Sequence, residues 1–341
     1  MKSTVVFNNK GGVGKTTLLC NMAAYLAQRK QKRVLVIDAD PQCNASIYLF
    51  GEDFVISKFS EPATTTVYKV LQPVRRGKGY IENQNIPIFR SGGFGVDVIL
   101  GDTQMSIIED FLSKEWLDSI NGDPRALKST FVMKDLLFKL KDSYDYIFFD
   151  VGPSLGALNR VILFASDYFV MPMSSDVFSV KAIDNISITL KDWREELEEG
   201  LNKYQRKEGE SFTIDDEECR IDISFLGYVH QQYTAKMQNN ERRPVRAYDR
   251  IIKQMPQRIN SKFSEFFPAG FDTDRLKLGE IPNFNSLIPL SQLANKPIFG
   301  LVGKDGVVGA HFSKVKEYEE VISEVINNVS HNIQAYDGLG E

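Results

Sequence analysis

Cysteine is scarce in this chain of 341 residues: there are three, Cys20, Cys43 and Cys219. None stands at a metal-ligand spacing, and an odd number argues against a disulfide framework. Charge of one sign is not in excess either. The 41 lysines and arginines face 45 acids, and the net charge of −4 advertises no global basic field for nucleic acid. Long hydrophobic runs are missing, since no window approaches the roughly 20 apolar residues of a membrane span. The opening Met1–Phe7 is too short an apolar run for a signal peptide, and Asn8, Asn9 and Lys10 end it. No internal repeat or low-complexity segment interrupts the chain. These absences leave a reduced, cytoplasmic, soluble protein as the expectation, with length for one large α/β domain or two small ones.

What is present is concentrated at the start. Thr4–Phe7 is a short β-branched and aromatic run that reads as a strand, and the glycines after it break the strand. A helical pattern then places Leu18, Leu19, Met22, Ala23 and Leu26 on one face. Strand, Gly-rich loop and helix form the context in which a phosphate-binding loop is credible. Backbone N–H groups around Gly12, Gly14 and Lys15 can surround an anion at a helix N-terminus. Lys15 is placed to reach phosphate oxygens, and the Thr16 hydroxyl to ligate a Mg²⁺ between them. The general pattern G-x-x-x-x-G-K-[ST] would put Gly where Asn9 stands. Asn enters positive φ readily, so the turn is expected to survive.

Two further stretches carry carboxylates to the ends of strands. Val34–Ile37 is a buried-strand run that leads into Asp38-Ala-Asp40-Pro-Gln42, and Tyr146–Phe149 leads into Asp150. The second run describes a central parallel strand whose C-terminal end faces a ligand. Gly152 and Pro153 follow it in a loop that could respond to a bound phosphate.

The string Lys10-Gly-Gly-Val-Gly-Lys-Thr-Thr17 resembles the deviant Walker A motif of the ParA/MinD family of ATPases, in which two lysines flank the glycines. Asp-x-Asp-Pro-Gln at 38–42 is similar to the family's A′ motif, and Asp150 with Pro153-Ser-Leu-Gly156 to its Walker B region. Ile99–Asp102 with Glu109, and Ala165–Pro172, also resemble family segments. The likeness is strong over 1–50 and 140–180, moderate to 130, and patchy after 190.

The resemblance implies a P-loop NTPase of doubly wound α/β fold, with a mostly parallel sheet flanked by helices. It implies ATP with Mg²⁺ as cofactors and a homodimer formed on ATP. Nucleotide contacts would come from Gly11, Gly12, Val13, Gly14, Lys15, Thr16 and Thr17, with Pro282 against the adenine. Thr16, Asp38 and Asp150 would lie at the metal. Asp40 would position or activate the attacking water, and Lys10 would cross the dimer interface to the partner's nucleotide. The family also implies a ParB-like or other activating protein.

The remaining organisation is read from charge and periodicity. Helical patterns cover about 104–117 and 131–141, whereas Glu52 to the Ser91–Phe94 turn is less regular. Asp192–Cys219 holds eleven acids against four basic residues, and is expected as a charged helix and an exposed loop inserted at about 192–220. Glu241–Arg258 carries a net +4, with Arg242, Arg243, Arg246, Arg250 and Lys253 as candidate contacts to DNA of any sequence; a solvated helix is the other reading. A helix at about 313–329 would bury Val315, Tyr318, Ile322, Val325 and Val329. Its acidic tail would be repelled by anionic lipid, which argues against membrane targeting. The chain opens at its first strand, so no N-terminal DNA-binding extension is expected. One ATPase domain over 1–341 is expected, acting as an ATP-dependent dimerising switch for plasmid or chromosome partition or cargo positioning. An ATP-switched regulatory or defence module acting on a protein partner, and a MinD-like membrane-positioning ATPase, are the alternatives.

Overall fold

The computed structural model describes residues 1–341 apart from 62–64, 175, 234, 239–240, 245, 285 and 340–341, with backbone alone at 177, 232–233, 235–238, 241–244 and 246–252. The first strand, β1 (Lys2–Val6), is buried from Ser3 onward and passes through the Gly-rich turn into α1 (Lys15–Arg29). All five side chains of β2 (Val34–Asp38) are buried, as parallel strands covered on both faces require. Three short helices follow, α2 (Asn44–Phe50), α3 (Glu52–Ser60) and α4 (Val67–Arg75), and then an antiparallel pair, β3 (Phe89–Ser91) and β4 (Val96–Ile99). The middle of the chain is α5 (Met105–Ser119), α6 (Pro124–Thr130), α7 (Val132–Leu140), β5 (Tyr146–Asp150), α8 (Ala157–Ala165) and β6 (Tyr168–Met173). The 32-residue α9 (Val177–Glu208) leads to a small hairpin, β7 (Thr213–Ile214) and β8 (Glu217–Glu218). The rest is β9 (Ser224–Tyr233), the hairpin β10 (Ala235–Gln238) and β11 (Glu241–Pro244), α10 (Arg246–Lys262), β12 (Lys277–Pro282), α11 (Leu287–Ala294) and α12 (His311–Leu339).

Eight strands form the main sheet in the order β12-β9-β6-β1-β5-β2-β4-β3. Every pairing in it is parallel except that of β3 with β4. This is the expected doubly wound, mostly parallel α/β architecture with flanking helices. One contiguous apolar core runs from Val5 to Tyr336.

Three expectations need correction. The stretch from Glu52, read as less regular with one short helix at Val67–Leu71, holds that helix as α4 and, besides it, α3 and the edge strand β3. Its short elements carry too few turns for a periodic signal to stand out. The acidic segment is not simply charged helix and exposed loop. Trp193 and Leu197 bury one face of α9, and Phe212, Ile214 and Cys219 are buried under the hairpin, where Phe212 stacks 5.7 Å from Phe131. The last helix is longer than 313–329, because its buried stripe continues to Ile333 and Tyr336. The Tyr336 hydroxyl donates to Phe225 O at 2.5 Å. That stripe, including Val315, Tyr318, Ile322, Val325 and Val329, is spent on the core.

Asn21 ties the phosphate-loop helix to the C-terminal third. Fully buried on α1, it donates to Thr17 O at 2.8 Å and to the Tyr48 hydroxyl at 3.1 Å, and accepts the Ile298 N–H at 2.8 Å. Asn21→Ala leaves that buried N–H without its partner, so urea denaturation is expected to show a loss of about 1–3 kcal/mol. A loss below about 0.5 kcal/mol, within the range of ordinary surface changes, would contradict this bridging role.

Candidate functional site

The C-terminal ends of β1, β2 and β5 lie side by side, with Val6 and Asp38 both in register with Asp150. In an open parallel sheet this edge is where ligands bind. A cleft of about 1140 Å³ opens there, lined among others by Gly12, Gly14, Lys15, Thr16, Asp40 and Pro153.

The loop between β1 and α1 takes its shape from two glycines and one asparagine. Gly12 (φ 73°) and Gly14 (φ 77°) are left-handed, a conformation that strains any residue with a Cβ. Asn9, expected to supply a positive φ, does not adopt one. The turn is instead pinned by Asn8, fully buried, whose side chain accepts the Lys10 N–H at 2.9 Å and donates to Pro172 O at 2.7 Å. Gly14 caps α1 without a side chain, so the first-turn amides receive no bond from a capping group. Such a helix start favours an anion.

Lys15 is buried, and its Nζ donates to Lys10 O at 3.2 Å. Burial pushes its ammonium below the usual range, against the opposing charges of Asp150 and Asp40. Thr16 Oγ1 donates to Asp150 Oδ2 at 2.8 Å. Asp150 is fully buried and its Oδ1 has no hydrogen-bond partner among the described residues. Burial, then the neighbouring Asp38, drives the Asp150 carboxyl well above its ordinary value. Asp38 is pushed up to about 7 by burial and by Asp40, although Ser46 holds its charge through two bonds of 2.7 Å, N–H and hydroxyl, to Oδ2. Buried acids this close are costly when ionised unless a cation joins them.

These residues fit a divalent ion beside phosphate: a hydroxyl, an unspent carboxylate oxygen and an excess of negative charge. Among the described residues no three His, Cys, Asp or Glu side chains converge as a metal-binding group. A Mg²⁺ here would therefore draw further ligands from phosphate and water, as is its habit.

Asp40 lies at the cleft wall, its Oδ1 accepting the Gln42 N–H at 3.0 Å. A Cβ at Gly152 would stand 3.3 Å from that oxygen, so the loop after Asp150 abuts Asp40 directly. Asn159 on α8 holds this loop from beneath, donating to Gly152 O and Ser154 O, both at 2.8 Å. Pro282 ends β12 in a small apolar pocket that Thr17, Gln231, Phe284 and Ile298 also line. Gln231 reaches Gly14 O at 3.4 Å.

Lys10 lies at the start of the loop, half-buried, with its Nζ bonded to Ser174 Oγ at 3.0 Å and to Asp176 of the same chain. Burial works against the Asp176 charge, but the bonds from Lys10 and Ser174 hold it below the usual carboxylate range. Asp176 also caps α9 through the amides of Phe178 and Ser179. The structure thus brings Lys10, Lys15, Thr16, Asp38, Asp40 and Asp150 to one edge.

Of the basic cluster only part is described. Arg242 and Arg243 fall on β11, and Arg246 and Arg250 on α10; their side chains lie outside the described residues, while Lys253 is exposed. Sequence reasoning missed Asn8, Ser46, Asn159, Asp176 and Gln231. Asn8, Asp176 and Gln231 act on partners more than 160 positions away, and Ser46 and Asn159 on partners five to eight positions away that the strand-to-helix turns bring back to them. Asn159, three residues past the Ser-Leu-Gly run, carried the one faint signal.

Comparison with known proteins places this geometry among relatives. A family model described as an AAA domain matches residues 1–203. An uncharacterised protein of Methanocaldococcus jannaschii is 28% identical over 72% of this chain and 90% of its own length. A chromosome-partitioning ATPase, Soj, of Treponema pallidum is 29% identical over 70% of this chain and 82% of its own. The crystal structure of a Corynebacterium diphtheriae protein superposes with a TM-score of 0.72 at 28% identity, covering 97% of this chain and 98% of that one.

Proposed function

The chain belongs to the AAA-domain family of ParA/MinD-type ATPases, and from that premise we propose that it is an ATP-gated dimerising switch that partitions DNA or positions cargo. The observation that carries the reading is that Lys15 and Thr16 line one cleft with two left-handed glycines, while the buried Asp150 carboxylate accepts the Thr16 hydroxyl behind them and keeps one oxygen without a partner among the described residues. This is the arrangement a triphosphate and its metal require.

In this reading the amides of Gly11 to Thr17 and the Lys15 ammonium neutralise phosphate charge. Thr16 and Asp150 hold the Mg²⁺, whose chemistry is to neutralise charge on the phosphate oxygens. Asp38 shapes the second carboxylate position, and Pro282 flanks the base. Asp40 orients the attacking water and accepts its proton. Lys10 leaves Asp176 for the partner subunit's nucleotide, a cationic contribution worth about 10³–10⁵ in rate when supplied by an arginine in GTPases. Hydrolysis then depends on assembly. Turnover is expected to be slow alone and to rise with an activating protein.

The Soj relative is named for chromosome partition, and the basic segment through β11 and α10 supports nucleoid DNA as the track. The test is binding of duplex DNA of arbitrary sequence with ATP, ADP or no nucleotide. Retention in ATP alone, lost between about 50 and 200 mM salt as counterion release requires, supports partition. No DNA binding in any state would favour a switch that engages only protein. A membrane-positioning role is disfavoured, because α12 buries its apolar stripe in the core. No described helix is long and apolar enough to cross a membrane.

A further inference from the structure

The loop Val151–Gly156 connects the two halves of the site. It leaves Asp150, packs Gly152 against Asp40, and presents Pro153 to the cleft. Asn159 fixes its middle from below. Its far end is the start of α8, where the capping residue, Gly156, has no side chain to offer the first amides.

That cap comes from another helix. Glu109 on α5 accepts the Ala157 N–H at 2.6 Å through Oε1 and the Leu158 N–H at 2.8 Å through Oε2. The two contacts span 48 and 49 positions of sequence, so they fix tertiary geometry as well as the helix end. A carboxylate on two helix-start amides is a charge-assisted pair aligned with the helix dipole. Gly156 is what admits it, for any Cβ at that position would collide with Glu109 Oε1. The contact is reinforced about one turn along α8 and two turns along α5, where the Arg160 guanidinium of α8 lies 3.7 Å over the Trp116 ring of α5.

We infer that Glu109 is a positioning residue for turnover: by clamping the first amides of α8 it holds the Val151–Gly156 loop in the place that sets Asp40 and the cleft wall. The inference rests on the proposed ATPase reading. Ground-state nucleotide binding is assigned to the loop of Gly11–Thr17, which Glu109 does not contact, so removal of the clamp falls on kcat. Misplacement of a catalytic group by about 1 Å costs up to about 100-fold.

The experiment compares wild type, Glu109→Ala and Glu109→Gln in steady-state ATP hydrolysis, thermal denaturation and amide hydrogen exchange across residues 151–158. Glu109→Ala is expected to lower kcat about 10- to 100-fold with KM within about threefold, and to speed exchange at 151–158. The isosteric Gln keeps one acceptor and loses the charge, so a smaller loss of the same kind is expected. If the Ala variant does not fold, Gln carries the comparison under the same criterion. Wild-type kcat in a folded variant overturns the inference. So does a loss explained wholly by the unfolded fraction, or by a matching rise in KM. Absence of ATP turnover in the wild type would count against the proposed function instead. Exchange then decides alone, with faster exchange at 151–158 supporting the clamp and unchanged exchange refuting it.

Discussion

Lys15→Ala should abolish ATP-driven dimerisation while the nucleotide-free fold survives. The side chain is buried where two carboxylates, Asp150 and Asp40, already raise its cost of deprotonation and burial lowers it. In the proposed complex it is the cation nearest the transferred phosphate. Removing one partner from a buried, hydrogen-bonded charge pair costs about 2–5 kcal/mol. At 1.4 kcal/mol per decade this weakens ATP binding by about 30-fold to a few thousand-fold. The bond that Lys15 makes in the free protein, to Lys10 O at 3.2 Å, is a single long one, so its loss leaves the fold intact. Light scattering on a sizing column with ATP and Mg²⁺ gives the result. A normal ATP dimer in this variant would contradict the phosphate-loop assignment.

Asp40→Ala should separate binding from turnover. The residue lines the same cleft as Lys15 and Thr16 but makes no bond to the phosphate loop among the bonds described; its Oδ1 serves only to order Gln42 N. ATP affinity and dimer formation are therefore expected to persist. Loss of a general base lowers kcat by about 10²–10⁴-fold, and the dimer, no longer discharged, accumulates. A phosphate-release assay beside the sizing experiment checks both halves. Wild-type turnover would remove Asp40 from the chemistry, and loss of ATP binding would make it a structural residue.

The two variants differ in a way the apo electrostatics anticipates. Asp38, Asp40 and Asp150 crowd one strand edge, where burial pushes Asp38 up to about 7 and lifts Asp150 well above its ordinary value. Lys15 is the protein's own counter-cation there, and a bound metal would add to it. Deleting the lysine leaves the acids less balanced just where phosphate must enter. Deleting Asp40 relieves the crowding. Nucleotide affinity is thus expected to fall in the first variant and to persist in the second.

Short-range chemistry was sufficient for much of this protein. The β-branched run before a Gly-rich turn, the apolar face from Leu18 to Leu26, and strands ending in Asp38 and Asp150 are local patterns, and the sheet forms from them. The family resemblance supplied the expectations of a dimer, of ATP with Mg²⁺ and of a role for Lys10 across the interface, which no spacing could. Asn9 shows the limit of a local argument: its tolerance for positive φ was irrelevant, because a bond from Asn8 to Pro172 O, 164 residues away, fixes the turn.

What the sequence by itself determined is the central strands, the first helix and the candidate phosphate-facing groups, since hydrophobic period and turn chemistry act within a few neighbouring residues. Only the tertiary structure decided which side chains hold those groups in place: Ser46 on Asp38, Asn159 under Gly152, Asp176 on Lys10, Glu109 at the start of α8. Most of these depend on elements that meet only when the parallel sheet is wound, and a carboxylate on a helix face looks the same in sequence whether it meets water or the bare amides of another helix.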